Sequence, residues 1–319
     1  MSERADVAVG TSLAGLIGKR VSIRLRDGDG YRDIVGILQD QNTLINRHGE
    51  KIDFNEEEIA LWREVVAPPD RAGTGAPLSI RVMELELLSN KTWPAPVKVQ
   101  RGGWLYRSAH GVSFRANSVL PHGKAPHGEP LSDLDNEIDF CINYYRNLGL
   151  KPTIAVPLPI YQELDSKLES EGWKAEIKAN FLVKDLLTQE LILNPEIKLL
   201  VESNPSADWI ALQGDGAIQE IMSAYPASYL SLLFENKIVG TARIAIDNSW
   251  AIVTRLFIKE EFRGKGLSKL IMTGASNLAI ELGATKICLQ VDSSNLVALE
   301  LYQGLGYKIH HSYNYRTLA

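Results

Sequence analysis

Arg263-Gly264-Lys265-Gly266 puts two glycines and two cations into four consecutive residues. The β-branched, apolar run Ala251 to Ile258 before them predicts a strand. Apolar residues at Leu267, Leu270, Ile271, Ala275, Leu278 and Leu282 follow at helical spacing, with Gly283 as the stop. A glycine loop between a strand's end and a helix's start is an anion site. The freed N–H groups and the positive end of the helix dipole both point at the ligand. Gly264 and Gly266 let the backbone come close where a side chain would obstruct, and Arg263 and Lys265 add charge beside it. The chemistry this suits is a diphosphate held by main-chain donors. Two common diphosphate loops are excluded. No Gly-Lys-Ser/Thr exists for a P-loop, and the last glycine of a dinucleotide fingerprint is replaced by Lys269.

What remains, Arg-x-x-Gly-x-small, resembles the acetyl-CoA pyrophosphate loop of the GNAT N-acetyltransferase superfamily, with Ser268 where the superfamily prefers Gly or Ala. Downstream, Lys286 to Val291 reads as a strand, followed by Asp292-Ser293-Ser294-Asn295. A helical run from Leu296 to Tyr302 then closes at Gly304-Leu305-Gly306-Tyr307. This is similar to the superfamily's signature of strand, Asn, Ala, Leu-Tyr and Gly-aromatic. The resemblance implies acetyl-CoA as acetyl-donor cosubstrate, an amine acceptor and no metal. It implies Tyr302 as the general acid for the departing thiolate and Asn295 as a cofactor contact. Arg263, Gly264, Lys265, Gly266, Leu267, Ser268 and Lys269 would form the diphosphate loop. It further implies that the strand at Leu256, Phe257 and Ile258 parts from its neighbour, leaving main-chain groups for the pantetheine arm and an N–H as oxyanion donor. Some members carry Glu where this chain has Gln290, and an amide accepts a proton poorly. Asp292, two residues on, shares a strand face with it by alternation and is the candidate base, directly or through water.

The elements that must position these groups occupy the rest of the chain. Its 319 residues suit two to three domains. A hydrophobic fraction of 45%, 23% charged residues and a net charge of −5 describe an ordinary globular composition. That balance gives no reason to expect nucleic acid or an anionic membrane as partner. No apolar run reaches membrane-span length, and Met1 to Asp6 lacks the form of a signal peptide. Cys141 in a helix and Cys288 in a strand read as two free buried thiols, which implies a cytoplasmic protein.

Residues 12–68 alternate over short segments, Arg20 to Leu25, Asp33 to Leu38, Asn42 to Asn46, Lys51 to Phe54 and Ile59 to Val66, joined by Asp/Gly turns. The rhythm predicts a small all-β barrel of the Src-homology-three type. Asp27, Asp29, Asp33 and Asp40 do not satisfy an EF-hand and read as turn acids. A Pro/Gly-rich linker follows at 69–77. In residues 78–187 the pattern predicts strands at Gly103 to Ser108 and Val112 to Leu120, a loop from Pro121 to Pro130, and a helix from Leu131 to Leu148. A strand at Thr153 to Pro157, a short helix from Ile160 and a last strand at Ala179 to Val183 complete it. Residues 188–319 repeat that order after two short helices near Asp208–Leu212 and Ala217–Met222, with Gly172-Trp173 matching Gly306-Tyr307. Internal duplication is the expectation. The first copy has prolines and His122 and His127 in place of the glycine loop. It is expected to keep the fold without the cofactor, and its histidines lack a third metal ligand.

The fold class expected is therefore α+β, a small β-barrel followed by two GNAT-like mixed-sheet halves, 78–187 degenerate and 188–319 cofactor-binding. The whole-chain pattern resembles a subgroup of actinobacterial GNAT proteins with that arrangement, carried by Ile34-Val35-Gly36-Ile37-Leu38, Arg115 to Pro121 and the C-terminal loop. An N-acetyltransferase acting on a primary amine of a small molecule or protein is the first functional reading. A non-catalytic acyl-CoA-binding regulator is the second, and a monomer is expected because two halves can pack on each other.

Overall fold

The computed structural model describes residues 13–28, 30–46, 50–65, 78–192, 195–214 and 218–319. The expected linker 69–77 lies outside the described residues, as do Asp29, the His48-Gly49 turn and Ala217. The chain divides into two compact units, Met1–Gly75 and Ala76–Ala319.

In the first unit β1 (Arg20–Asp27), β2 (Gly30–Asp40), β3 (Thr43–Asn46), β4 (Lys51–Asp53) and β5 (Ile59–Glu64) pair antiparallel in the order β4-β3-β2-β1-β5. Alternation sends Val21, Ile23 and Leu25 inward with Ile34, Leu38 and Leu44. Gly36 has no room for a side chain, since a Cβ there would stand 2.2 Å from the Ile45 carbonyl oxygen. The five-strand rhythm of the sequence is present, but β4 and β5 are the two ends of an open order. Closure into a barrel is not among the pairings of the described residues. The turn acids serve local contacts: Asp33 takes a two-pronged bond from Arg24 at 2.8 and 3.0 Å, and Asp40 accepts from the Asn42 N–H.

The second unit runs α1 (Leu78–Thr92), β6 (Val97–Arg101), β7 (Trp104–Ser108), β8 (Leu120–Pro121), α2 (Leu134–Asn147), β9 (Thr153–Leu158), α3 (Gln162–Ser170) and β10 (Lys174–Asp185). It continues with β11 (Ile197–Glu202), α4 (Ala207–Ala211), α5 (Ile218–Ser223), β12 (Ser228–Phe234), β13 (Lys237–Asp247) and β14 (Trp250–Ile258). The last elements are α6 (Leu267–Glu281), β15 (Lys286–Asp292), α7 (Leu296–Gly304) and β16 (Lys308–Thr317). Three strands form a small sheet β6-β7-β8, and eight form the order β11-β12-β13-β14-β15-β10-β16-β9. The expected halves are interleaved in that sheet. β10 lies between β15 and β16, and β16 lies between β10 and β9.

One element was not assigned from the sequence, and one stretch differs from its expectation. Residues 78–92 form α1, which carries the buried Val82, Leu85, Glu86, Leu88 and Ser89. The strand expected over Val112 to Leu120 is instead a compact loop ending in the two-residue β8. Asn117 holds that loop shut. Its Oδ1 accepts from the Ala109 and Gly111 amides at 2.7 and 3.1 Å, and its Nδ2 donates to the Ser113 carbonyl at 2.8 Å. A side chain that bonds the backbone in this way competes with a sheet ladder.

The order β9–α3–β10 recurs as β15–α7–β16. After α3 the Gly172 N–H bonds to the Glu169 carbonyl and Trp173 N–H to Leu168. After α7 the Gly306 N–H bonds to Gln303 and Tyr307 N–H to Tyr302. Both glycines are left-handed, with φ of 85° and 86°, the usual helix stop. By this equivalence Leu168 stands where the second copy has Tyr302.

Candidate active site

β14 and β15 run parallel and pair only from Trp250–Lys286 to Val253–Leu289. Beyond Val253 they part, so Phe257 and Ile258 keep β13 as their partner, Leu256 falls in the register shift, and none of the three pairs on the β15 side. A bulge helps to turn the strand. The pairing with β13 shifts between Thr241 and Arg243, and Arg255 sits at φ 59°. That conformation is costly for a residue with a Cβ. Arg255 is anchored through its side chain, with Nε donating to Gln213 Oε1 and Nη2 to the Gln213 carbonyl, both at 2.7 Å.

Beyond β14 a 3-10 turn at Glu260–Phe262 leads into Arg263-Gly264-Lys265-Gly266 and then α6. Gly264 and Gly266 have φ of 72° and 77°, and a Cβ at either would meet nothing within 4 Å. Gly266 is the N-cap of α6 and offers no side chain to the helix, so no side chain of the cap satisfies the first amides, those of Leu267, Ser268 and Lys269. Arg263 donates from Nε to the Ile258 carbonyl at 3.2 Å, and the Lys265 ammonium lies 5.0 Å from the Phe262 ring centre. The corresponding loop of the first copy is closed by its own backbone. A Cβ on Gly103 or Gly123 would stand 2.2 or 2.4 Å from the Gly128 carbonyl oxygen. Its histidines serve that packing: His122 Nε2 is 2.9 Å from Gln100 Nε2, and Trp104 Nε1 donates to the His127 carbonyl at 2.7 Å.

Tyr302 on α7 is 7% exposed and packs in the same core cluster as Leu267, Ile271 and Leu289. Its ring meets Tyr307 edge-on at 5.7 Å. Burial pushes its phenol up to about 12, and its hydroxyl makes no hydrogen bond among the described residues. Asn295 is the N-cap of α7 and accepts from the Ala298 N–H at 3.1 Å, so its Oδ1 is committed to the helix and its Nδ2 is left over.

Gln290 and Asp292 share the opposite face of β15, as alternation requires. There they line a cavity of about 300 Å³ with Thr254 and Arg255 from β14, Trp93 just past α1, Arg115, Tyr313 and Tyr315. The rows across the sheet are explicit. Ala179 of β10 stands between Asp292 and Tyr313, and Phe181 between Gln290 and His311. Gln290 Oε1 accepts from Arg115 Nη2 and, at 3.3 Å, from Ser89 Oγ of α1. Asp292 is exposed, and its Oδ1 accepts from the N–H and hydroxyl of Ser294 at 2.8 and 2.6 Å. Oδ2 has no partner among the described residues.

The structure thus brings the glycine loop, the unpaired end of β14 and Asn295 to the end of the sheet where β14 and β15 part, and sets Tyr302 about two turns along α7 in the core cluster against which Leu256 packs. Asp292 lines the cavity that opens there on the other face. Sequence reading missed Trp93, Ser89 and Arg115. The apolar positions Val82, Leu85 and Leu88 signalled the helix that carries Ser89. Arg115 opens a segment that carries the resemblance, but nothing local gives it a place in the site, because its partner lies 175 residues away. Cys141 and Cys288 are both free and buried. Among the described residues no helix is long and apolar enough to cross a membrane, and no three His, Cys, Asp or Glu side chains are grouped as a metal site.

A mixed sheet whose two parallel strands part beside a glycine loop and an uncapped helix has the architecture of the GNAT fold. The model of the family described as "Probable histone acetyltransferase Rv0428c C-terminal" matches residues 79–316, and the chain belongs to that family. It is 23% identical over 317 residues to "Probable histone acetyltransferase Rv0428c" of Mycobacterium tuberculosis, covering 94% of each chain. It is also 23% identical over 249 residues to "Uncharacterized N-acetyltransferase YobR" of Bacillus subtilis, covering 74% of this chain and 98% of that one. A GCN5-related N-acetyltransferase from Kribbella flavida superposes with a TM-score of 0.58 at 16% identity. The match covers 74% of this chain and 95% of the other, a likeness of fold.

Proposed function

We propose that this enzyme transfers the acetyl group of acetyl-CoA directly to a primary amine of a small molecule or protein. The observation that carries the reading is the parting of β14 from β15 beyond Val253, next to open glycines and free helix amides. The residues present fit the cosubstrate. The amides of Gly264, Lys265, Gly266, Leu267, Ser268 and Lys269 would hold its diphosphate, with Arg263 adding charge. The unpaired edge at Leu256, Phe257 and Ile258 would take the amide-bearing arm, and Asn295 Nδ2 would be a further contact. When bound, acetyl-CoA supplies an activated thioester whose carbonyl carbon accepts the amine.

The chain's own groups then move two protons. Tyr302 keeps its proton at neutral pH and donates it to the departing sulfur. Asp292 takes a proton from the amine at Oδ2, directly or through water. An N–H freed at the end of β14 stabilises the carbonyl oxygen. No metal takes part.

In this reading residues 188–319 are the acetyl-CoA-binding half and 78–187 a duplicated half that lost the cofactor loop and carries Leu168 at the acid's position. Residues 12–68 are a small barrel of the Src-homology-three type, joined by a linker at 69–77. Two free buried thiols suit a reducing cytoplasm, and the interleaved halves suit a monomer. The bond from Arg115 to Gln290 favours a second reading, since that amide cannot act as a base: an acyl-CoA-binding regulator without turnover.

Titration calorimetry of the full chain with acetyl-CoA, run beside a thiol-release assay over an amine panel, separates the two. One site with amine-dependent thiol release is expected. Binding without release for any amine would leave the regulator, and no binding would remove both.

A further inference from the structure

We propose that the acceptor carries an anionic group beside its amine, as a free amino acid does, and that Arg115 is the residue that seats it. The proposal rests on the acetyltransferase reading and concerns its acceptor cavity. The cavity and the wall behind it hold an excess of positive charge. Arg115 and Arg255 line it, and Arg107 and Arg243 are buried behind. None of the four is hydrogen-bonded to a carboxylate among the described residues, and the one buried carboxylate whose charge reaches them, Glu86 on α1, acts on Arg107 and is engaged with His311. Arg107 bonds to Ser118 and Asn90, Arg243 to three carbonyls, Arg255 to Gln213 and Arg115 to Gln290. The lone carboxylate of the lining, Asp292, is at the exposed rim.

Charge in a walled cleft acts through low dielectric and is screened little. A polycationic acceptor, such as a lysine within a basic peptide, would therefore enter against two uncompensated guanidinium groups. The aromatic residues do not rescue it as a cation cage. Trp93 is already approached by Arg115 at 6.0 Å and by Arg243 at 5.5 Å. Arg115 also has donors to spare. Nη2 is bound to Gln290, Nε is buried without a partner, and Nη1 makes no hydrogen bond among the described residues. Nε is closed off from the cavity, so Nη1 is the donor that an acceptor can reach, and a carboxylate there forms a charge-assisted bond. The cavity, about 300 Å³, is at the small-ligand end of binding sites, which suits an amino-acid-sized molecule.

The test uses the full chain and matched acceptors. Phenylalanine is set against phenethylamine, lysine against cadaverine, and a lysine-rich peptide is added, all by thiol release with acetyl-CoA. The carboxylated member of each pair should have a kcat/KM roughly ten- to a hundred-fold higher, the worth of one charge-assisted hydrogen bond. Arg115→Met should erase the difference through KM, and Arg115→Lys should restore part of it. Acetyl-CoA affinity by calorimetry should be unchanged in both. Calorimetry of the CoA-loaded protein with N-acetylphenylalanine and N-acetylphenethylamine gives the same comparison without turnover. Equal preference within the pairs, faster turnover of the peptide, or discrimination that survives Arg115→Met would overturn the proposal while leaving the acetyltransferase reading intact. No acetyl-CoA binding and no thiol release would overturn that reading instead.

Discussion

At the scale of single residues, the Tyr302 hydroxyl has no partner among the described residues although its ring is buried. Unlike the Tyr307 hydroxyl, which is buried without a partner among those residues, the Tyr302 hydroxyl keeps accessible surface and can meet a ligand. Tyr302→Phe removes the hydroxyl without a hole, so the unfolding midpoint should stay or rise slightly while kcat falls about a hundredfold. A rate unchanged in steady-state assays would remove the acid role. Since burial holds the phenol up to about 12, no loss of rate from its ionisation should occur between pH 7 and 10. His310 gives a prediction of opposite kind. Burial, then His311 and Arg81, lower it from 6.5 to about 4. The unfolded chain therefore binds more protons in that window, and stability is lost as pH falls from 6.5 towards 4. Urea unfolding at pH 7 and 4.5 should show a smaller acid loss for His310→Gln than for the wild type, by about 2 kcal/mol at most. Equal losses would dismiss the site as a sensor of acid.

At the scale of elements, α6 and its loop were legible because every device there is local. The strand, the glycine pair, the periodicity and the Gly283 stop all act within a turn or two of themselves. Gly264→Val should cost only about 1 kcal/mol of stability, from its left-handed backbone, because open space surrounds it. It should weaken acetyl-CoA binding at least tenfold, and unaltered affinity in calorimetry would undo the cradle. Asn295 serves two ends that substitution can separate. Asn295→Ala should lose about 1 kcal/mol with the α7 cap. Asn295→Asp should keep the cap, so any fall in its acetyl-CoA affinity reports the amide nitrogen. What the sequence hid at this scale was the 109–118 loop. Its residues have a strand's composition, and a single Asn117 side chain outbids the ladder.

At the scale of the whole second unit, the order of elements was legible and their weaving was not. Periodicity assigns a strand its faces but says nothing about its neighbours, so residues 78–187 and 188–319 read as consecutive halves. The sheet instead inserts β10 between β15 and β16, and α1 reaches across the second half. Glu86 Oε1 lies 3.0 Å from His311 Nε2, and the Thr92 carbonyl accepts from Arg243. Residues 188–319 expressed alone would leave β15 and β16 with bare ladder edges. They should aggregate or bind acetyl-CoA far more weakly than the full chain, and a well-folded, fully competent fragment would contradict the interleaving. For the same reason circular dichroism and tryptophan fluorescence should report one coincident denaturant transition for the second unit.

The position of β16 also sets a schedule for synthesis. β9 and β10 are parallel to one another and hold between them a gap one strand wide, and the strand that fills it is made some 120 residues later, about the length of a small domain. Until residues 308–317 are made, neither β9 nor β10 can complete its ladder, and Ala155 and Ile177 lack the Tyr315 that pairs with both. A helper that shields exposed strand edges would find its target in the first copy of the repeat, although the cofactor loop belongs to the second.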